Sequence, residues 1–184
     1  MARIKGTNLS HVRDFVVKEL GEDALARMSA SLPTESRAAF ESFALTGWYP
    51  DQVYLDAVHA MDRVLGKGDG DLLRRGAAFA ADYDITRIHR VLFRLANPAF
   101  VLEKSMDIWH RFFDSGEWKI KRPTSTSADG VLDGWAITDA AACEYLRAYL
   151  EQMFRIVGAK NPEVRHIECR ARAGAHCRFL ISWH

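Results

Sequence analysis

The sequence predicts an α+β fold in which a helical N-terminal part, residues 1–116, packs on a C-terminal ββαββ unit, residues 117–184, with an antiparallel sheet. Two observations predict this fold. Apolar residues recur every three or four positions through the first two-thirds of the chain, as they do on the buried face of a helix. From Trp118 onward, short alternating segments flank one long amphipathic segment, which indicates strands on both sides of a single helix.

Length and composition predict a single domain that spans residues 1–184, with 48% hydrophobic and 27% charged residues. A net charge of +1 gives no reason to expect a nucleic-acid partner. The N-terminus shows no apolar leader segment, and no stretch reaches the ~18 apolar residues of a spanning helix. We therefore expect a cytoplasmic protein without membrane contact.

The N-terminal elements follow from apolar spacing and from Gly and Pro stop signals. Helices are expected at about 8–20, 23–30, 34–44, 51–65, 71–94 and 98–115. The segment 46–50, with its Gly-Trp-Tyr-Pro sequence, is expected to be a turn, and the glycines of 66–70 a flexible connection.

The C-terminal elements begin where the pattern changes from helical spacing to alternation. The expected elements, in chain order, are a strand at 118–121, a polar loop at 123–130, a strand at 131–137, a helix at 142–157 capped by Thr138 or Asp139, and a hairpin of 164–171 with 175–183. The hairpin turns near Ala173.

Three cysteines and one histidine lie in this C-terminal unit. A turn at 173 places Cys169 opposite Cys177, and Cys143 lies near the start of a helix, where a thiolate is favoured. With His166 they form a Cys₃His set, which suits zinc. Because 166 and 169 differ in strand parity, both reach one ion only through a bulge or a strand end. Buried free thiols, or a disulfide between 169 and 177, are the alternatives.

The segment 168–179, Glu-Cys-Arg-Ala-Arg-Ala-Gly-Ala-His-Cys-Arg-Phe, resembles the signature of the 4-vinyl reductase domain, which occurs in sensor modules of phenol-responsive transcription activators. The resemblance implies a zinc site formed by four residues. They are the two hairpin cysteines, a cysteine 26 positions before the first of them, here Cys143, and an acidic residue three positions before that first hairpin cysteine. That last position holds His166 in this chain. Glu168, His176 and Glu144 are therefore rivals for the fourth ligand.

A wider resemblance covers nearly the whole chain. Residues 5–7, 48–50 and 97–116 are similar to an uncharacterised family that is abundant in myxobacteria and ends in the same cysteine hairpin. The 4-vinyl reductase domain shares its fold with haem nitric-oxide/oxygen-binding (H-NOX) domains. The resemblance implies an H-NOX-like fold and no established activity.

The segment Met106-Asp107-Ile108-Trp109-His110 resembles the part of H-NOX domains that holds the haem-ligating histidine, which implies His110 as an iron ligand. No Tyr-x-Ser-x-Arg motif follows it, so haem is disfavoured. A cavity for a small hydrophobic or aromatic molecule is expected instead, because such cavities have aromatic walls. Its expected lining residues are Trp109, His110, Phe113, Trp118 and Trp135.

These observations predict a non-catalytic sensor domain with a structural zinc ion and a cavity for a small ligand. We expect it to signal through a protein partner and to form a homodimer. No catalytic arrangement of side chains appears in the sequence, so we do not expect an enzyme. Two alternatives remain: a protein-interaction scaffold without a ligand, and a haem-based sensor of nitric oxide or oxygen that uses His110.

Overall fold

A computed structural model describes residues 2–84 and 97–184. The N-terminal elements are β1 (Arg3–Lys5), α1 (Gly6–Leu20), α2 (Glu22–Ser31), α3 (Thr34–Ser42), β2 (Trp48–Pro50), α4 (Asp51–Ala60), which continues as a π-helical turn (Met61–Leu65), α5 (Asp71–Tyr83) and α6 (Pro98–Trp109). The C-terminal elements are β3 (Glu117–Thr124), β4 (Ser127–Asp133), α7 (Ala140–Ile156), β5 (Glu163–Glu168), a 3₁₀ turn (Arg170–Arg172) and β6 (Cys177–Ser182).

The C-terminal strands form one antiparallel sheet in the order β3-β4-β6-β5. Side chains alternate across it, so one face is buried and the other faces outward. On β4, for example, Ala128 and Leu132 are buried while Asp129 and Asp133 are only partly buried. The buried face and the helices of both parts contribute to a single cluster of buried side chains.

Helix α7 begins at a well-defined cap. Asp139 accepts hydrogen bonds from the backbone N–H groups of Ala141 and Ala142 through Oδ1, and its Oδ2 lies 2.8 Å from Nε2 of His59 on α4. A capping aspartate satisfies N–H groups that have no partner within the helix. The contact with His59 also fixes this end of α7 against the N-terminal part.

The α+β class and the ββαββ order are as the sequence predicts, and three local expectations are wrong. The segment 123–130, expected to be a loop, lies in the β3-β4 hairpin, because Ser127 pairs with Thr124 and with Ser182 of β6. Residues 48–50, expected to be a turn, form β2 and pair with β1. Helix α1 begins at Gly6, before its expected start, without a side-chain cap.

Part of one expected helix, 71–94, lies outside the described residues, since the structure describes that helix only as far as Tyr83 and resumes at Asn97. Within the described ranges, no helix combines the length and the apolar character that crossing a membrane requires.

Gly116 lies at the junction of the two parts, with a φ of +93°. A Cβ there would lie 3.1 Å from Cβ of Trp135 and 3.2 Å from Nε1 of Trp109. Gly116→Ala therefore combines backbone strain with overpacking. We expect it to lower the free energy of unfolding by about 2–4 kcal/mol in urea denaturation.

Gly158 provides the matched control, because its φ is +92° and a Cβ would meet nothing within 4 Å. Gly158→Ala is expected to cost only the backbone strain, about 1–2 kcal/mol. Equal losses in the two variants would show that the tryptophans around Gly116 yield without cost.

Candidate functional site: a thiol–imidazole cluster and an aromatic cavity

The structure brings together the four side chains that the sequence singles out as metal ligands. Cys143 lies in the first turn of α7, His166 on β5, Cys169 just after β5, and Cys177 at the start of β6. One ligand atom from each lies within 4.8 Å of all the others. All three cysteines are buried and free of disulfides.

The sulfur geometry of this cluster fits a tetrahedral ion. Sγ of Cys143 lies 3.8 Å from Sγ of Cys177 and 3.8 Å from Sγ of Cys169. Zinc–sulfur bonds of about 2.3 Å at tetrahedral angles place two sulfurs about 3.8 Å apart. A disulfide needs about 2.05 Å between its sulfurs. The spacing is thus that of ligands around a common centre.

A bulge in the sheet lets His166 and Cys169 face the same centre. The pairing of β5 with β6 shifts between His166 and Glu168, so the alternation of sides is broken at that point. The imidazole of His166 stacks on Phe179 at 4.3 Å between ring centroids, with 7° between the planes. Its Nε2 is buried and has no hydrogen-bond partner among the described residues, so this nitrogen would be satisfied by binding an ion.

The rival ligands are engaged elsewhere. Glu168 accepts a hydrogen bond from the backbone N–H of Ala175 and lies 3.2 Å from Nε2 of His176. Glu144 pairs with Arg147 at 2.9 Å. These contacts leave His166 as the fourth member of the cluster.

The pKa values of two buried thiols in the cluster are shifted in opposite directions. A hydrogen bond from Cys143 lowers the pKa of Cys177 to about 4, with further help from His166 and from the backbone N–H of Arg170. The same hydrogen bond and burial raise the pKa of Cys143 far above its ordinary value. A divalent cation would replace these protons, since thiolates are the form that binds metal.

A second candidate site is a cavity of about 100 Å³ between the N-terminal helices and the C-terminal unit. Its walls are almost wholly apolar. The described lining residues are Asn8, His11, Tyr54, Ala80, Asp84, Val101, Leu102, Ile108, Trp109, Phe112, Phe113, Trp118, Ile120, Trp135, Ala142, Tyr145, Leu146, Tyr149, Leu150, Met153, Phe154 and Ile181.

Four of the five residues expected at the cavity line it: Trp109, Phe113, Trp118 and Trp135. Trp109 is at their centre, 4.2 Å from Phe113, 5.4 Å from Trp135 and 5.9 Å from Trp118 between ring centroids. His110 is not among the lining residues, and its side chain is exposed. His110 directly follows Trp109, the last residue of α6. One helical step of about 100° therefore turns the side chain of His110 away from the direction of the buried Trp109.

This cavity has a polar corner that the sequence did not predict. Nε2 of His11 lies 2.9 Å from Oδ1 of Asp84, without the alignment of a hydrogen bond, and both side chains are 4% exposed. Tyr149 donates a hydrogen bond to Oδ2 of Asp84 at 2.9 Å. The only sequence signal was a histidine within the apolar stripe of α1. Nothing in the spacing connects it with Asp84 or Tyr149.

The fold is that of H-NOX domains. An H-NOX protein from S. oneidensis in the Fe(II)NO state superposes with a TM-score of 0.75 at 13% identity, over 98% of this chain and 99% of that chain. Fe(II) unliganded H-NOX from K. algicida gives 0.71 at 14% identity, over 98% and 96%. H-NOX from Shewanella woodyi in the Fe(II)CO state gives 0.72 at 12%, over 97% and 94%.

No family model and no curated protein sequence matches this chain. The resemblances to the 4-vinyl reductase domain and to the myxobacterial family therefore receive no support from the comparisons. At 10–14% identity the structural neighbours establish a common fold.

The expectation that haem is disfavoured is wrong in the light of these neighbours. Three of them are H-NOX proteins in Fe(II), Fe(II)NO and Fe(II)CO states, and another neighbour, with a TM-score of 0.71, comes from work on haem redox potential and porphyrin distortion. The absence of a Tyr-x-Ser-x-Arg motif does not exclude haem, because a motif can change while the fold persists.

The described residues supply part of what haem requires. The apolar and aromatic walls suit the faces of a porphyrin, and the described histidine on those walls is His11. They do not form a haem site with His110 as its axial ligand, since that side chain lies outside the cavity.

The polar corner contributes to stability as well as to the character of the cavity. His11→Leu leaves the buried carboxylate of Asp84 without its imidazole, and we expect a loss of about 3 kcal/mol or more in urea denaturation. Tyr149→Phe removes one hydrogen bond and is expected to cost about 1–2 kcal/mol. The double variant His11→Leu/Asp84→Leu should lose less than the single His11→Leu. A double variant that is less stable than the single one would contradict this account.

Proposed function

We propose that this chain is a sensor domain that receives a small ligand in the aromatic cavity. The observation that carries the proposal is the cavity itself: an almost wholly apolar space with one buried polar corner, in a fold shared with H-NOX domains. Such a space is the usual form of a small-molecule site. We further propose that the domain is non-catalytic and passes its signal to a protein partner as a homodimer.

Two kinds of occupant are consistent with the site. The comparisons favour haem, and with it the sensing of a diatomic gas, over the interpretation centred on zinc. Haem would supply an iron centre for the gas, and the chain would supply apolar walls that exclude water. The volume favours direct binding of a small apolar molecule, because about 100 Å³ is of the same order as the ~150 Å³ of an engineered cavity that takes benzene.

Haem and toluene can be tested as probes on the full chain. If haem is the occupant, ferrous haem should bind one to one, with a saturable Soret band that shifts when nitric oxide is added. Ala80→Leu fills the cavity from α5 and should weaken binding of either probe at least about tenfold, with urea denaturation used to check that the variant is folded. His110→Ala is the matched control and should change haem affinity less than about twofold, since its side chain is exposed.

The outcomes separate the occupants. Toluene binding without haem binding would assign the cavity to small apolar molecules. Loss of haem binding in His110→Ala would show that His110 turns inward when haem binds. If neither probe binds the wild-type chain, the sensor proposal fails.

We also propose that Cys143, His166, Cys169 and Cys177 hold one zinc ion that pins the C-terminal unit. The support is the sulfur spacing and the buried, unpartnered Nε2 of His166. Four protein ligands would close the coordination shell, which is typical of structural zinc. This site is separate from the cavity and is compatible with either occupant.

Native mass spectrometry of the chain purified without chelator should find one zinc per chain. Cys169→Ser and His166→Ala are expected to lose the ion or bind it at least about tenfold more weakly, because each removes a ligand. His176→Ala is the matched control: this histidine lies on the same hairpin but pairs with Glu168. Full zinc occupancy in His166→Ala together with loss in His176→Ala would overturn the assignment of the fourth ligand.

A further inference from the structure

The thiol–imidazole cluster and the cavity share structural elements. Helix α7 carries Cys143 in its first turn and lines the cavity with Leu146, Tyr149 and Leu150. Strand β6 carries Cys177 at its start and lines the cavity with Ile181. A change in either site therefore acts on elements that also form the other.

Phe179 provides a first side-chain connection between the two sites. This fully buried ring stacks on His166 of the cluster. On its other side it packs against Trp118 of the cavity wall, at 5.6 Å between centroids. The orientation of the imidazole thus depends on a ring that a cavity ligand can displace through Trp118.

Arg170 provides a second and independent connection. It directly follows Cys169 of the cluster at the start of the 3₁₀ turn, and its backbone N–H helps to lower the pKa of Cys177. Its guanidinium donates to the backbone carbonyl of Trp135, whose indole lines the cavity. The indole Nε1 of Trp135 is buried and has no hydrogen-bond partner among the described residues. Arg170 therefore links the metal ligands to Trp135, a cavity residue whose indole N–H can donate a hydrogen bond to a ligand.

We infer that Arg170 and Phe179 couple the two sites, so that metal bound at the cysteine cluster sets the affinity of the cavity for its ligand. The inference rests on the proposed function, since it requires both sites. Arg170 is a positioning residue in this scheme: it touches neither ion nor ligand with its guanidinium, but it holds the loop of Cys169 and the backbone of Trp135 in one arrangement.

Coupling between two binding sites is reciprocal, so it can be measured from either side. The zinc dissociation constant of the full chain is measured by competition with a chromophoric chelator under reducing conditions. The titration is repeated with saturating toluene and with saturating ferrous haem. We expect at least one probe to change the zinc dissociation constant about fivefold or more.

Two matched variants test the route. Arg170→Met removes the donor to Trp135 but keeps the backbone N–H toward Cys177, so zinc should still bind one to one. The effect of the probe on zinc affinity should become smaller than in the wild-type chain, because only the connection through Phe179 remains. Arg172→Met lies in the same 3₁₀ turn with an exposed side chain and should keep the wild-type effect. If Arg170 only supported the structure, Arg170→Met would change the zinc dissociation constant by the same factor with and without the probe.

Tryptophan emission gives a readout that needs no ligand. Release of zinc should change the emission of the wild-type chain, and the change should be smaller in Arg170→Met, because Trp118 and Trp135 lie at the ends of the two connections.

The outcomes are distinguishable from failure of the proposed function. A probe that binds without changing zinc affinity overturns the coupling and leaves the sensor and zinc proposals standing. A probe effect that stays at the wild-type size in Arg170→Met overturns the role of Arg170. If neither probe binds, the sensor proposal fails and the coupling, which needs both sites, fails with it. The emission then reports only whether zinc changes the surroundings of the tryptophans.

Discussion

The position of α7 is the constraint on which the rest of the structure depends. One end of this helix is held by the Asp139 cap and its contact with His59, and the body of the helix packs between α5 and the sheet side of the core. Cys143 reaches the cluster and Tyr149 reaches the cavity only because both are on this one rigid element. The two sites are therefore built by the same packing that stabilises the fold.

The two sites have opposite characters. The cluster contains thiols whose anionic forms are unfavourable in a buried site. A cation that binds all of them would stabilise those anionic forms. The cavity is lined by apolar and aromatic side chains, and an apolar ligand would gain van der Waals contacts with them. In each site a buried polar atom has no hydrogen-bond partner among the described residues: Nε2 of His166 in the cluster and Nε1 of Trp135 on the cavity wall.

The sequence could predict the features that depend on local spacing. Helical periodicity, strand alternation and the symmetric positions of Cys169 and Cys177 about the turn predict the fold class and the thiol cluster, including the need for a bulge after His166. The polar corner was beyond reach, because it joins α1, the end of α5 and α7 without any local pattern. His110 was predicted to line the cavity but is exposed, because it directly follows the buried Trp109 and one helical step of about 100° turns its side chain away.

A single helix that serves two sites also limits how this protein can change in length. One residue inserted between Cys143 and Tyr149 would rotate the two ends of α7 relative to each other by about 100° and separate them by a further ~1.5 Å. Either the thiol would leave the cluster or the phenol would leave the cavity. Relatives with both sites should therefore keep the spacing between these two positions unchanged, and insertions and deletions should fall in the connections between elements, such as the glycine-rich segment 66–70.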